Sequence, residues 1–181
     1  MQLPLQKILR NGMTVELDYM HSQEVEVVRC LLNIVINEGK TYPQNHPLSV
    51  GEFAAYWLLG DSFVVRKAGD GDEPNRPRVL GAFYIKPNFP GRCSHICNAG
   101  FIVQPEMRGE GIGRFMGESM LEIAAALGYE AVMFNLVFAT NIPSIRLWQS
   151  LGFQTIGRIE QAAKLTNTEA VDALIMYRGL K

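Results

Sequence analysis

Apolar and polar residues alternate through residues 13–19, MTVELDY, which predicts a strand with one buried face. The run QEVEVVRCLLNIVIN, residues 23–37, is long enough for a helix, with Ser22 as its N-cap and Gly39 as its stop. After the loop GKTYPQNHPLS, Ser49 caps a second helix through residues 52–59, and Glu52 stands three residues on as its capping-box partner. DSFVVRK and VLGAFYIK predict a strand hairpin around the charged, Gly/Pro-rich AGDGDEPNRPR, and ICNAGFIVQ predicts a third strand ended by Pro105. Residues 112–127 form the clearest helical pattern: Ile112, Phe115, Met116, Met120, Ile123, Ala124 and Leu127 recur at 3.6-residue spacing, opposite Arg114, Glu118 and Glu122. AVMFNLVF is apolar enough for a buried strand, NIPSIRLWQSLGF for a short helix closed by Gly152, and QTIGRIE and VDALIMYR for two closing strands.

This order predicts an α/β fold with a mixed sheet. A helix joins the strand at residues 96–104 to that at 131–138, so the two should be parallel in a right-handed βαβ unit. At 181 residues and 48% hydrophobic, with no repeat and no interdomain linker, the chain reads as one domain, residues 1–181. Seventeen basic against eighteen acidic residues leave a net charge of −1, without the footprint of a general nucleic-acid binder. No run of apolar residues is long enough to span a membrane, and the N-terminus lacks the h-region of a signal peptide. Three cysteines, few and odd in number, suit reduced thiols, so the expectation is a soluble cytoplasmic protein.

The stretch VQPEMRGEGIGR, residues 103–114, sets three glycines and two arginines at a strand-to-helix junction. A helix start exposes unpaired N–H groups and the positive end of the macrodipole, and glycine lets an anion approach them. Arg108 and Arg114 would add charge-assisted contacts. A plain glycine turn would give the same string, and neither the dinucleotide nor the P-loop spacing fits. CSHIC would put Cys93, His95 and Cys97 on one face of a regular strand, but no second ligand cluster accompanies them, and no metal is expected. Asn141 follows the buried strand and opens the next helix, where it would be an N-cap, a cleft-mouth donor, or both. Asn135 interrupts the buried strand and must find polar partners.

The junction V-x-P-x-x-R-G-x-G-I-G and the later N-x-x-S-x-x-L-W-x-x-L-G-F, Asn141 to Phe153, resemble the two signatures of the GCN5-related N-acetyltransferases. Four further strings, EGKTYPQNHPLS, FYIKPN, RCSHICNAGF and FNLVFATN, resemble the fungal proline-analogue (L-azetidine-2-carboxylate) N-acetyltransferases from about residue 37 to 176. The resemblance implies the GNAT fold, a mixed central β-sheet with splayed parallel strands flanked by helices, with an acetyl-CoA-binding core at about residues 61–160. Acetyl-CoA is then the co-substrate: Phe101, Ile102 and Val103 would meet its pantetheine arm by β-augmentation. The turn of Arg108, Gly109, Gly111, Ile112, Gly113 and Arg114 would hold its pyrophosphate, with Asn141 near the thioester sulfur.

Asn98 would hold the acceptor, and the backbone of Asn135 and Leu136 its carboxylate. The implied reaction is acetyl transfer to the ring nitrogen of a small cyclic secondary amino acid, L-azetidine-2-carboxylate or cis-4-hydroxyproline, in a homodimer that serves detoxification and oxidative-stress tolerance. An acetyltransferase of another amine (a polyamine, an aminoglycoside or a protein N-terminus) and a CoA-binding regulator without turnover are the alternatives. Trp148 stands where the superfamily has a tyrosine, and an indole N–H cannot supply an acidic proton. The KTYPQNHP loop is expected to roof the acceptor pocket.

Overall fold

A computed structural model describes residues 2–68, 79–165 and 169–181. The expected loop at residues 69–78 lies outside them. Eight strands form one sheet in the order β1-β2-β3-β4-β5-β6-β8-β7. In chain order these are β1 (Leu5–Ile8), β2 (Thr14–Tyr19), β3 (Asp61–Lys67), β4 (Val79–Pro87), β5 (Ile96–Val103), β6 (Ala131–Phe138), β7 (Gln154–Lys164) and β8 (Ala170–Gly179). The α-helices are α1 (Val25–Asn37), α2 (Val50–Trp57), α3 (Ile112–Ala126) and α4 (Ile142–Ser150). All neighbouring strands run antiparallel except β5 and β6, which α3 joins as a parallel pair.

Two differences from the sequence reading are instructive. β1 was not anticipated: four residues, LQKI, are too few to establish a period, and their partner β2 supplies the reason for the extended form. Ser22 does not cap α1 but opens a 3-10 turn, Ser22–Glu24, in which Glu24 accepts the His21 N–H at 2.7 Å and ion-pairs with Arg66 at 2.5 Å. Burial would raise the Glu24 pKa, yet the Arg66 and His21 contacts together hold it below the ordinary carboxylate value. The box at α2 forms as read, with Ser49 Oγ accepting the Glu52 N–H at 3.3 Å and Glu52 Oε2 accepting the Ser49 N–H at 2.8 Å.

The sheet buries a face on each side. One core gathers α3 and α4 against residues such as Phe63, Phe83, Cys97 and Phe134; the other gathers α1 and α2 against Val64, Ala82, Tyr84 and Ile102. Along the first face an aromatic ladder crosses four strands in register, Tyr19 to Phe63 to Phe83 to Phe101, with ring centroids 5.0, 4.9 and 5.3 Å apart. Each such pair adds about 0.5–1.5 kcal/mol beyond its buried area. The ladder ends where the sheet opens. Among the described residues, no helix is long and apolar enough to cross a membrane.

Candidate active site

Strands β5 and β6 begin side by side, at Ile96 with Ala131 and Cys97 with Val132, and share no registered pair beyond that. From there they part and border a cleft of about 1110 Å³. The backbone groups that face it follow from alternation along β5. Ile96 C=O accepts from Asn88 N–H and Gln104 N–H gives to Leu80 C=O, so the even positions face β4. His95 C=O accepts from Glu130 N–H, so the odd positions face β6. Ala99, Phe101 and Val103 therefore turn their N–H and C=O groups into the opening. The Phe101 carbonyl already accepts the Tyr42 hydroxyl at 3.1 Å.

Of the three residues expected at this edge, Phe101 and Val103 present free amides. Ile102 touches the cleft, but its backbone faces β4 and its side chain, 2% exposed, belongs to the α1–α2 core.

Trp148 wedges the opening. It is 6% exposed, its ring lies 4.8 Å from Phe101 on one strand and 4.6 Å from Phe134 on the other, and it lines the cleft. At the position where a tyrosine was expected, the chain thus has a spacer rather than an acid. Tyrosines do line the cleft, at 42, 56 and 84, a feature the motif positions do not reveal. Burial pushes the Tyr42 and Tyr84 hydroxyls well above their ordinary pKa, which makes them poor proton donors to a thiolate.

At one end of the cleft the glycine turn leads into α3. Gly109 and Gly111 sit at φ +86° and +97°, left-handed values that a side chain would strain, and Gly111 is the N-cap without any side-chain cap. The first intrahelical bond is Phe115 N–H to Gly111 C=O at 3.0 Å, so the N–H groups of Ile112, Gly113 and Arg114 have no helical acceptor. The Ile112 side chain is 1% exposed in the core, leaving only its amide for a ligand. Arg108 pairs with Glu38 at 3.0 Å; Arg114 reaches Glu118 at 3.3 Å and Ser150 Oγ at 2.7 Å. Both guanidiniums line the cleft in partly exposed pairs that contribute little and can be exchanged for a stronger anion. These open amides, flanked by cations and reached over glycine, fit the diphosphate of coenzyme A.

Elsewhere the cleft is lined by aromatic rings and asparagines, with Lys7, Arg10 and Lys86 as its charged residues. Asn88 and Asn135 exchange side-chain amides, Nδ2 to Oδ1 at 2.9 Å and 2.7 Å, and Asn98 donates to Asn88 Oδ1 at 3.3 Å. Asn88, the residue after β4, joins Asn98 of β5 to Asn135 of β6. Asn135 thus spends its side chain on Asn88, while the register skips from Phe134 to Val137 and leaves Asn135 and Leu136 without partners in β8. Thr41, Tyr42 and Pro43 bring the expected loop over this cleft. Asn141 is the N-cap of α4: its Oδ1 accepts the Ser144 N–H at 3.3 Å, which leaves its Nδ2 group as a donor on a cleft-lining residue.

Sequence reasoning missed Asn88, Tyr56, Tyr84, Lys86 and the β1 residues Lys7 and Ile8, all of which line the cleft or bind its lining residues. Asn88 carried a signal, as the polar residue just past an apolar strand; the others are brought in by tertiary pairing. The face proposed for CSHIC does not exist. β5 starts only at Ile96, Cys93 ends a 3-10 turn, and Cys93 and His95 are exposed while Cys97 is buried, its thiol pushed by burial up to about 12. His95 does not line the cleft.

The sequence profile described as Acetyltransferase (GNAT) family matches residues 37–153. N-acetyltransferase aca1 of Schizosaccharomyces pombe is 56% identical over 155 residues, which cover 80% of this chain and 74% of that protein. A GCN5-related N-acetyltransferase from Kribbella flavida superposes with a TM-score of 0.82 at 26% identity, over 91% of this chain and 97% of its own. A phosphinothricin acetyltransferase of the GNAT superfamily from Sinorhizobium meliloti, solved with AcCoA, shares the fold at a TM-score of 0.79 and 20% identity, over 92% and 89% of the two chains.

Proposed function

The chain belongs to the GNAT family of acetyltransferases and is an acetyl-CoA-dependent N-acetyltransferase; from that premise we propose that its acceptor is a small cyclic secondary amino acid. L-azetidine-2-carboxylate and cis-4-hydroxyproline are the acceptors that the resemblance to the fungal proline-analogue enzymes implies. The observation that carries the reading is the linked Asn88–Asn98–Asn135 network in a cleft also lined by three tyrosines, an acceptor end free of carboxylates among the described residues. A polyamine site would call for carboxylates. Among the described cleft-lining residues Glu110, at the glycine turn, is the one acid, and there is no histidine. The same resemblance extends the proposal to analogue detoxification and oxidative-stress tolerance by a cytoplasmic homodimer.

Bound acetyl-CoA supplies an activated acetyl thioester; the chain supplies position and charge. In this reading the amides of residues 112–114 hold the diphosphate, and the free groups of Phe101 and Val103 align the pantetheine arm. Asn98 holds the acceptor, the unpaired backbone of Asn135 and Leu136 takes its carboxylate, and Asn141 Nδ2 stabilises charge on the departing sulfur. An aliphatic amine of pKa near 10 is neutral in only about one molecule per thousand at pH 7. Among the described residues no carboxylate or imidazole lines the asparagine end of the cleft, and in this reading the proton leaves to water.

Thiol release from acetyl-CoA by the purified chain tests this. Release with azetidine-2-carboxylate or cis-4-hydroxyproline, and not with spermidine or an N-terminal peptide, is expected. Release only with the latter acceptors overturns the acceptor assignment, and coenzyme A binding without turnover overturns transfer itself.

A further inference from the structure

Lys86 stands out among the charges that line the cleft; Arg10 also lines it with no carboxylate partner among the described residues, but Arg10 is exposed. Lys7, Arg108 and Arg114 each have a carboxylate within ion-pair distance, Glu118, Glu38 and Glu118 respectively. Lys86 has none among the described residues, although it is only partly exposed and burial lowers its pKa. Its ammonium donates to the Tyr56 carbonyl at 2.8 Å and lies 4.7 and 4.6 Å from the ring centres of Tyr56 and Tyr84. A withdrawn ammonium is costly without a counter-charge, and two rings and a carbonyl offset only part of that cost.

Its place in the sheet gives that charge a use. Lys86 is the direct cross-strand partner of Asn98, so their side chains rise from the same face. Asn98 in turn donates to Asn88, the partner of Asn135. Gly100, next but one along β5, leaves room for the Tyr84 ring that supports the ammonium: a Cβ there would lie 2.5 Å from Tyr84 Cε1. The hydrogen bond to Tyr56 ties the same ammonium to the end of α2.

We propose that Lys86 is the acceptor-specificity residue of this enzyme: its ammonium provides the counter-charge for an anionic group, a carboxylate, carried by the acceptor amine. The asparagines and free backbone amides of the pocket are neutral, so Lys86 adds the charge they lack. The same charge repels cationic acceptors, which gives selectivity by exclusion as well as attraction. The inference rests on the acetyl-transfer reading but not on the acceptor's being cyclic.

The experiment compares each acid with its own carboxamide, for cyclic and for linear amino acids, in wild-type protein, Lys86→Met and Lys86→Arg. Losing a charge-assisted contact predicts that Lys86→Met raises KM for the acids about 10- to 100-fold, with kcat changed less than about threefold. KM for the carboxamides stays within about threefold, and Lys86→Arg recovers part of the loss. Binding of the same pairs in the presence of coenzyme A, followed by tryptophan fluorescence, reads the preference without turnover and shows that each variant is folded. Equal use of acid and carboxamide by the wild type, or equal losses for both in Lys86→Met, overturns the assignment while leaving acetyl transfer intact. Lys86-dependent preference for linear acids, with no cyclic amine accepted, supports Lys86 and overturns the cyclic acceptor.

Discussion

At position 141 one side chain caps a helix and is proposed to serve the thioester as well, and its two polar atoms separate the two tasks. The Oδ1 atom accepts the Ser144 N–H and caps α4; the Nδ2 group remains for the cleft. Asn141→Ala removes both, costing about 1 kcal/mol of stability for the cap. It also removes a donor whose loss, by analogy with an oxyanion-hole donor, costs roughly 3–4 kcal/mol in the transition state, a hundredfold or more in kcat. Asn141→Asp keeps an oxygen for the cap and removes the donor. We expect its melting temperature to match wild type and its kcat to fall as far as that of the alanine variant. An aspartate variant with wild-type kcat would leave Asn141 a cap and nothing more. The cap was legible in the sequence because it uses local geometry, a strand end followed by a helix start. Lys86 was not, since its meaning comes from Tyr56, thirty residues away along the chain, and from the cross-strand pairing with Asn98.

Elements show the same division. The glycine turn, α3 and the capping box of α2 are written within a few residues of sequence, and the structure forms them where the pattern puts them. β1 and the 3-10 turn before α1 depend on partners elsewhere, β2 and Arg66, and no window of sequence contains both sides of those contacts. The pairing of β4 with β5 yields a test at this scale. Tyr84 and Gly100 are opposite each other, and the Tyr84 ring occupies the space a side chain at 100 would need. That ring is also held edge-on by Trp57 at 4.9 Å and Tyr56 at 5.8 Å, so it cannot yield freely. Although alanine is the less flexible strand residue, Gly100→Ala is expected to lower stability by about 1–3 kcal/mol through overpacking. Chemical denaturation measures it, and an alanine variant as stable as wild type would show that the ring moves at no cost.

For the whole molecule, the sheet is held together by two cores and opened at one seam, so a ligand bound there, as proposed, would link binding to folding. Coenzyme A at a hundred times its dissociation constant should add about 2.7 kcal/mol to unfolding. In a chain of this length each kcal/mol raises the melting temperature by about 2–4 °C, hence a rise of roughly 5–11 °C. Gly113→Ala tests whether the α3 amides are the contact. A Cβ at 113 meets only Leu147, at an ordinary 3.7 Å, so the unliganded protein should melt within about 2 °C of wild type. The ligand-induced rise, however, should shrink if the diphosphate lies against this first turn, where an added methyl group would crowd it. A full rise in the variant would place the diphosphate elsewhere. The mixed sheet and its parallel pair could be read from element order alone; the width of the seam could not, because it depends on Trp148 lodging between Phe101 and Phe134.

That lodged indole has a practical consequence. The chain holds two tryptophans, and they sit in different neighbourhoods: Trp148 at the parted strands, Trp57 stacked on Phe53 and edge-on to the cleft-lining Tyr84. If the two substrates bind as proposed, each is a native emitter beside a different one, so replacing either with phenylalanine should leave a protein whose remaining glow watches one partner arrive at a time.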